Sequence, residues 1–273
     1  MRTFVYNHKM LIMKRLLILS FLALASLTPV SCKKEKPEDK IVVPEGAVDM
    51  GIVMTREDGS TYRLFWAKCN LGAIKADNLG DLYAWGETEP IKAGMSLEDH
   101  LNSYKFSDGY ESFKVGPDSY EIHLRLTKYC TSDKTDHWGG MGPIDNKTNL
   151  KDYNYTDDAA RVRLGGKWRI PTAAEWKALI DNCICERHIY EDITREEYRY
   201  FEFTSRINGQ KLIIPAAGHS RDERAINAYY WASDIDPDYP TNAKIWIYHI
   251  NKIVGIGNQS RWLGLSIRPV IEE

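Results

Sequence analysis

The chain has 273 residues, 36 Lys and Arg against 38 Asp and Glu, and a formal net charge of −2. A balance this close to neutral supplies no electrostatic attraction for a nucleic acid, and that partner class is set aside. Apolar residues make up 43% of the chain, as in ordinary globular proteins, and aromatics are plentiful, with eight Trp and sixteen Tyr. That surplus suits both a packed interior and surfaces that stack on sugar rings or partner proteins.

The first segment differs from the rest. Lys14 and Arg15 precede an apolar run, Leu16 to Leu27, closed by Thr28-Pro29-Val30-Ser31-Cys32. This is the charge, apolar core and small-residue end of a secretory signal. At about a dozen residues the run is shorter than the roughly 18–20 that a spanning helix needs. Met13-Lys14-Arg15-Leu16-Leu17 makes a natural start, and residues before Met13 add nothing to the signal. The segment resembles a lipoprotein (type II) signal covering 1–32, with Ser31-Cys32 at the lipidation position and Pro29 where an aliphatic residue is usual. The resemblance implies a membrane partnership through acyl chains on Cys32, and an outer-membrane location. Lys33-Lys34-Glu35-Lys36-Pro37-Glu38-Asp39-Lys40 contains nothing to bury, so 33–47 is expected as a solvated tether. Its acidic residues resemble surface-export signals, and the cell-surface face is favoured over the periplasmic one.

About 240 residues follow Cys32, enough for one large domain or two small ones; a single domain over 48–273 is expected. In chain order, Tyr62–Ala67 predicts a strand and Asn70–Ala73 a turn. From Asn78 to about Lys151 little sustained periodicity emerges, and a long loop-rich stretch with short elements at best is expected. Asp157-Asp158-Ala159-Ala160 opens a short helix with carboxylates at its positive end. Trp168–Pro171 is extended because Pro171 disfavours helical backbone at Ile170. Thr172-Ala173-Ala174-Glu175 is a capping box that starts a helix running to about Asn182, with Trp176, Leu179 and Ile180 on its inner face.

Phe201–Arg206 and Lys211–Ile214 flank Asn208-Gly209, which predicts a hairpin with a type I′ turn. Tyr229–Ser233 reads as a strand. Ala243–Ile250 reads as another, apolar on both faces and hence central. Leu263–Val270 reads as the last. The sum is an α+β fold with short antiparallel sheets and few helices.

The motifs recur in a fixed order: Phe65-Trp66-Ala67-Lys68-Cys69-Asn70-Leu71-Gly72-Ala73, Gly80-Asp81-Leu82-Tyr83-Ala84-Trp85-Gly86-Glu87-Thr88, Leu126-Thr127-Lys128-Tyr129-Cys130, Asp157-Asp158-Ala159-Ala160 through Gly165-Gly166-Lys167-Trp168-Arg169-Ile170-Pro171-Thr172 to Glu175-Trp176, Pro215-Ala216-Ala217-Gly218, and Ser266-Ile267-Arg268-Pro269-Val270. Together they resemble the Fibrobacter-type major paralogous domain, over roughly Val48 to Val270. That family looks like a branch of the C-type lectin-like fold, with the formylglycine-generating factors as cousins through a segment similar to Arg169–Trp176. The resemblance implies a loop-rich domain with closely spaced ends, but fold alone does not assign function.

Four cysteines follow Cys32: Cys69, Cys130, Cys183 and Cys185. Export favours disulfides among them; reduced, buried thiols are the alternative. The copper-binding cysteine pair of formylglycine-generating factors lies near the C-terminus, and this chain has no cysteine after Cys185. Cys183-x-Cys185-x-x-His188 has no second pair to complete a zinc site. Asp234, Asp236 and Asp238 offer alternate carboxylates to calcium but lack an EF-hand's glycine and terminal glutamate. His100, His123, His137, His188, His219 and His249 are scattered, with no nucleophile motif beside them. No catalytic residue is assigned and no cofactor beyond candidate calcium. The expected role is a binding or adhesion module for a glycan or cell-surface protein. Its ligand-binding candidates are Tyr104, Phe106, Tyr110, Trp138, Tyr153 and Tyr239. A structural subunit of an envelope assembly is the alternative, and an enzyme the third choice.

Overall fold

The computed structural model describes residues 41–117, 120–131, 143–191, 197–220, 227–249 and 254–273. Cys32, the tether to Lys40, and Trp138 lie outside them. Four short antiparallel sheets carry the described chain. The first joins β1 (Ala47–Thr55), β2 (Thr61–Ala67) and the C-terminal β11 (Val270–Glu272), with β2 in the middle. The first and last strands of the described residues therefore share one sheet. A hairpin of β3 (Ser107–Lys114) and β4 (Tyr120–Leu126) follows α1 (Leu97–Ser103). The third sheet is β5 (Cys183–Glu191), β6 (Glu197–Ser205) and β7 (Lys211–Pro215). The fourth sets β9 (Asn242–Tyr248) between β8 (Ala228–Ile235) and β10 (Val254–Ser260). Two further α-helices, α2 (Ala159–Leu164) and α3 (Ala173–Asn182), complete the helical content of the described residues. All of these elements fall in one compact unit, Val42–Glu273. No helix among the described residues is long and apolar enough to cross a membrane.

Two large apolar clusters and a small one of Ala47, Phe65 and Ile271 form the interior, and β8 and β9 belong to both large ones. Because successive side chains of a strand point to opposite faces, Tyr229, Trp231 and Ile235 of β8 enter one cluster with Ala243 and Ile245 of β9. Ala228, Tyr230 and Ala232 enter the other with Trp246. The apolar residues on both faces of β9 thus have a direct cause, and the strand is central as its sequence predicts. The second cluster is built on α3. Trp176 stacks on Trp246 with ring centroids 5.1 Å apart and tilts against Trp66 at 4.7 Å. The indole N–H groups staple the layers. Trp85 donates to Ala232 O at 2.9 Å, Trp176 to Trp231 O at 3.1 Å, and Trp231 to Tyr83 O at 2.7 Å.

Two arginines are fully buried without a carboxylate. Arg261 donates to Tyr104 Oη and to the carbonyls of Tyr129, Pro240 and Lys128, with its guanidinium 4.7 Å from the centre of the Trp85 ring. Arg268 donates to the carbonyls of Ala67, Lys68 and Ile213. The terminal nitrogens of each guanidinium donate to backbone carbonyls, several of them in loops, so each cation organises irregular chain around itself. This is how a loop-rich domain meets its hydrogen-bond requirement.

The stretch 78–151 is loop-rich with short elements, α1 and the β3–β4 hairpin; β3 is largely exposed, so it lacks the apolar alternation that marks a strand. Two other expectations change. The β6–β7 turn is not type I′, because Gly209 has φ +74° while Asn208 stays out of the left-handed region. Ser205 N instead donates to Gln210 O, which leaves a four-residue loop whose Ile207 and Asn208 amides donate to Ser205 Oγ. The last strand is shorter than predicted. Leu265 and Ser266 make only isolated bridges, and β11 begins at Val270, because Pro269 has no N–H to give the Ala67 carbonyl, which accepts from Arg268 instead.

Gly80 sits at φ +71°, and a Cβ there would lie 2.5 Å from the Leu71 carbonyl oxygen. Backbone cannot step aside, so Gly80→Ala is expected to lower unfolding free energy by about 2–4 kcal/mol in urea denaturation. Asp158 caps α2, accepting from Arg161 N at 3.0 Å and Ile170 N at 2.8 Å. Burial pushes its carboxyl up from 3.8 to about 6, against those hydrogen bonds. The folded state therefore binds the proton more tightly than the unfolded chain. Its stabilising contribution is complete below pH 3.8 and is lost as pH rises through about 6. Denaturation from pH 4 to 7 should show a decline on the order of 2–3 kcal/mol that is absent from Asp158→Asn.

Candidate functional site

A cleft of about 560 Å³ opens where five parts of the chain converge. The β1–β2 hairpin supplies Met54–Asp58 and Tyr62. The 3₁₀ turn Leu150–Tyr153 and its flanks supply Asn149, Lys151 and Tyr155. The start of α3 supplies Thr172, Ala174 and Glu175; β8 supplies Ser233 and Asp234; β11 supplies Glu272.

The floor is ionic. Arg169, extended before Pro171 and bridged to Val270, forms a bidentate pair with Glu175: Nη1 donates to Oε2 at 2.8 Å and Nη2 to Oε1 at 2.6 Å. Nη2 also donates to Glu272 Oε2 at 2.8 Å, and Glu272 accepts from Arg56 at 3.2 Å. Glu175 further accepts from Tyr62 Oη and from Thr172 N, both at 2.8 Å. The Thr172/Glu175 capping box is therefore present as predicted, and the same carboxylate holds the cleft together. Burial works against charge on Arg169, but the hydrogen bonds and charges of Glu175 and Glu272 outweigh it and raise the guanidinium pKa. Burial likewise raises Glu272, yet Arg169 and Arg56 bring its carboxyl below the usual range. Burial, then Glu175, pushes the Tyr62 phenol up, so it stays a donor.

The wall is neutral hydrogen bonding around Asp234. Its Oδ1 accepts from Asn149 Nδ2 at 2.8 Å and its Oδ2 from Ala173 N at 2.7 Å, at the positive end of α3. Burial raises this carboxyl despite both donors. At the mouth, Asn154 and Tyr155 both take left-handed backbone, φ +54° and +59°, which costs of order 1 kcal/mol or more each and brings Tyr155 to the cleft. Arg56 lies 4.3 Å from the centre of the Tyr62 ring. Lys151 is exposed, with its backbone amide donating to Asn149 Oδ1 at 2.9 Å. The mouth thus offers two cations, the Glu57 and Asp58 carboxylates, and phenol faces.

In the aspartate series, Asp236 accepts from Lys244 at 2.9 Å and from Asn258, Asp234 accepts from Asn149 and from Ala173 N, and Asp238 is exposed. The predicted aromatic platform dissolves. Tyr104 and Phe106 are each 2% exposed in the first core. Tyr110 and Tyr153 are half-buried against it, and Tyr153 donates to Asp145 at 2.8 Å. Tyr239 alone of the described candidates is exposed; Trp138 lies outside the described residues. The loops turn their rings inward because Arg261 and Asp157 collect them. Asp157 accepts from Tyr129, Lys105 and Lys128.

No disulfide joins the four described cysteines. Cys130 belongs to the first core and Cys183 to the second, so burial separates them. Cys183 and Cys185 share one face of β5, where burial pushes their thiols up to about 11 and about 12.

Sequence reasoning located Arg169, Thr172, Glu175 and Asp234 but not Arg56, Tyr62, Asn149, Tyr155 or Glu272. These lie far apart in the chain, with no local pattern joining them to the cleft. No protein-family model, no curated protein and no solved structure matches the chain.

Removing one member of the buried pair should be worse than removing both. Glu175→Leu is expected to cost about 3–5 kcal/mol by leaving Arg169 with Glu272 alone. Adding Arg169→Met should recover a measurable part of that loss in a double-mutant cycle read by urea denaturation.

Proposed function

We propose that the protein is a lipid-anchored, exported binding module of the C-type lectin-like, major paralogous type, and that it takes a glycan in the polar cleft. The cleft itself carries this reading. It is large enough for a sugar residue or two, the two carboxylates of its floor, Glu175 and Glu272, are balanced by Arg169 and Arg56, and its mouth presents Tyr62, Tyr155, Arg56 and Lys151. Hydroxyl-rich ligands suit such a surface, because phenol faces stack on sugar rings and charged groups make bidentate hydrogen bonds. The acids of the floor are committed to partners within the fold, which favours recognition over proton transfer. The anchor on Cys32 would hold the cleft at the outer membrane, with the tether giving it reach.

Screening the domain on a glycan and glycoprotein array, with calcium and again with a calcium-selective chelator, tests this. Binding that survives chelation is expected, since Asp234 and Asp236 are already engaged. Lys151→Ala with Arg56→Ala should weaken it at least about tenfold, the effect of losing roughly 1.4 kcal/mol of contacts. A protein ligand would show as binding to deglycosylated glycoproteins. Absence of binding throughout would leave the structural-subunit reading. One observation favours that second reading: among the described residues β10 pairs only with β9, and Val254 and Ile256 are exposed along it. Such an edge can accept a strand from a partner.

A further inference from the structure

The outward face of the third sheet carries the one group of three or more convergent His, Cys, Asp or Glu side chains among the described residues. Glu186, His188 and Glu202 place a ligand atom each within 4.8 Å of one another. The strand register builds this group. Glu186 and His188 are two residues apart on β5 and so share a face, while Glu202 of β6 pairs directly with Glu186. Phe201 and Phe203, on either side of Glu202, are buried in the core, which turns Glu202 outward.

Three features of the group call for a cation. Like charges set directly across a strand pair repel, and Glu186 and Glu202 are so placed. Lys211 offsets one of them, donating to Glu202 at 2.6 Å from a side chain that is 60% exposed and able to swing away. That leaves one negative charge in the group. The His188 ring stacks on Tyr200 with centroids 4.8 Å apart and planes 10° from parallel, so its orientation is held. Its Nε2 is shut off from solvent and has no hydrogen-bond partner.

We propose that Glu186, His188 and Glu202 form a binding site for a divalent first-row transition ion. One imidazole nitrogen with two carboxylates is a donor set for zinc, manganese or ferrous iron, and the imidazole disfavours calcium. Ligands about 2.0–2.2 Å from a shared ion stand roughly 3.4 Å apart, so small side-chain rotations complete the set. Three protein ligands leave positions for water or for an atom of a partner. The ion bridges β5 and β6, the longest hairpin of the described chain, and lies on a different sheet from those lining the cleft.

Zinc titration of the tag-free full chain in detergent, followed by calorimetry, tests the site. One equivalent is expected to bind, and cobalt should give the visible absorption of a low-symmetry nitrogen–oxygen site. Glu186→Gln alters an exposed side chain and should keep the fold while weakening zinc at least about tenfold; His188→Ala should abolish the high-affinity phase. Glu89→Gln, an exposed acid far along the chain, should leave binding unchanged. Absence of a one-equivalent zinc phase overturns the proposal. So does zinc binding that neither the Glu186 nor the His188 variant weakens, or calcium binding as tight as zinc.

Discussion

The buried pair of Arg169 and Glu175 is the interaction on which the architecture of the cleft depends. Moving two charges out of water costs several kcal/mol each, and close geometry with additional hydrogen bonds recovers it; of the Arg169 guanidinium nitrogens only Nε lacks a partner. Glu175 accepts four hydrogen bonds, from Arg169 twice, Tyr62 and Thr172. Satisfying that carboxylate fixes the N-terminus of α3 against β2. Satisfying the guanidinium recruits Glu272 on β11. One ion pair thus ties α3 to the sheet of β1, β2 and β11 and lays the floor of the site.

The same logic recurs with different partners elsewhere. Arg261 and Arg268 are buried on backbone carbonyls, and Asp157 and Asp145 on phenols, amides and lysines. A domain with short sheets leaves many peptide groups without ladder partners, and buried side chains of long reach supply them. The result is rigidity in stretches with no regular structure. The rings of Tyr104, Phe106 and Tyr129 are drawn into the first core around these groups instead of forming an open platform.

The strands β8 and β9 divide the interior in two. Each face of β8 serves a different core, so a substitution on one face and its neighbour on the other act on separate packing units. Its C-terminal end then passes from apolar Trp231 and Ala232 to Ser233 and Asp234, and the strand delivers polar groups to the cleft where the core ends. Packing and recognition meet at that transition.

Local order was legible in the sequence. The capping box at Thr172, the α2 start at Asp158, the strand at Tyr62–Ala67 and the two-faced apolar pattern of β9 all follow from neighbours in the chain, where spacing alone sets which side chains share a face. The sequence also marked the β6–β7 hairpin but not its turn, because Ser205 Oγ offered the backbone a second solution. What only the tertiary structure decided is which charged and aromatic groups meet. Whether Tyr104 is a platform or a core ring, which groups Asp236 accepts from, and whether Glu186, His188 and Glu202 converge depend on partners from 8 to 157 residues away. Hydrogen bonding and ion pairing are short-ranged in space and indifferent to chain separation, so a composition rich in such groups admits many pairings until the fold selects one.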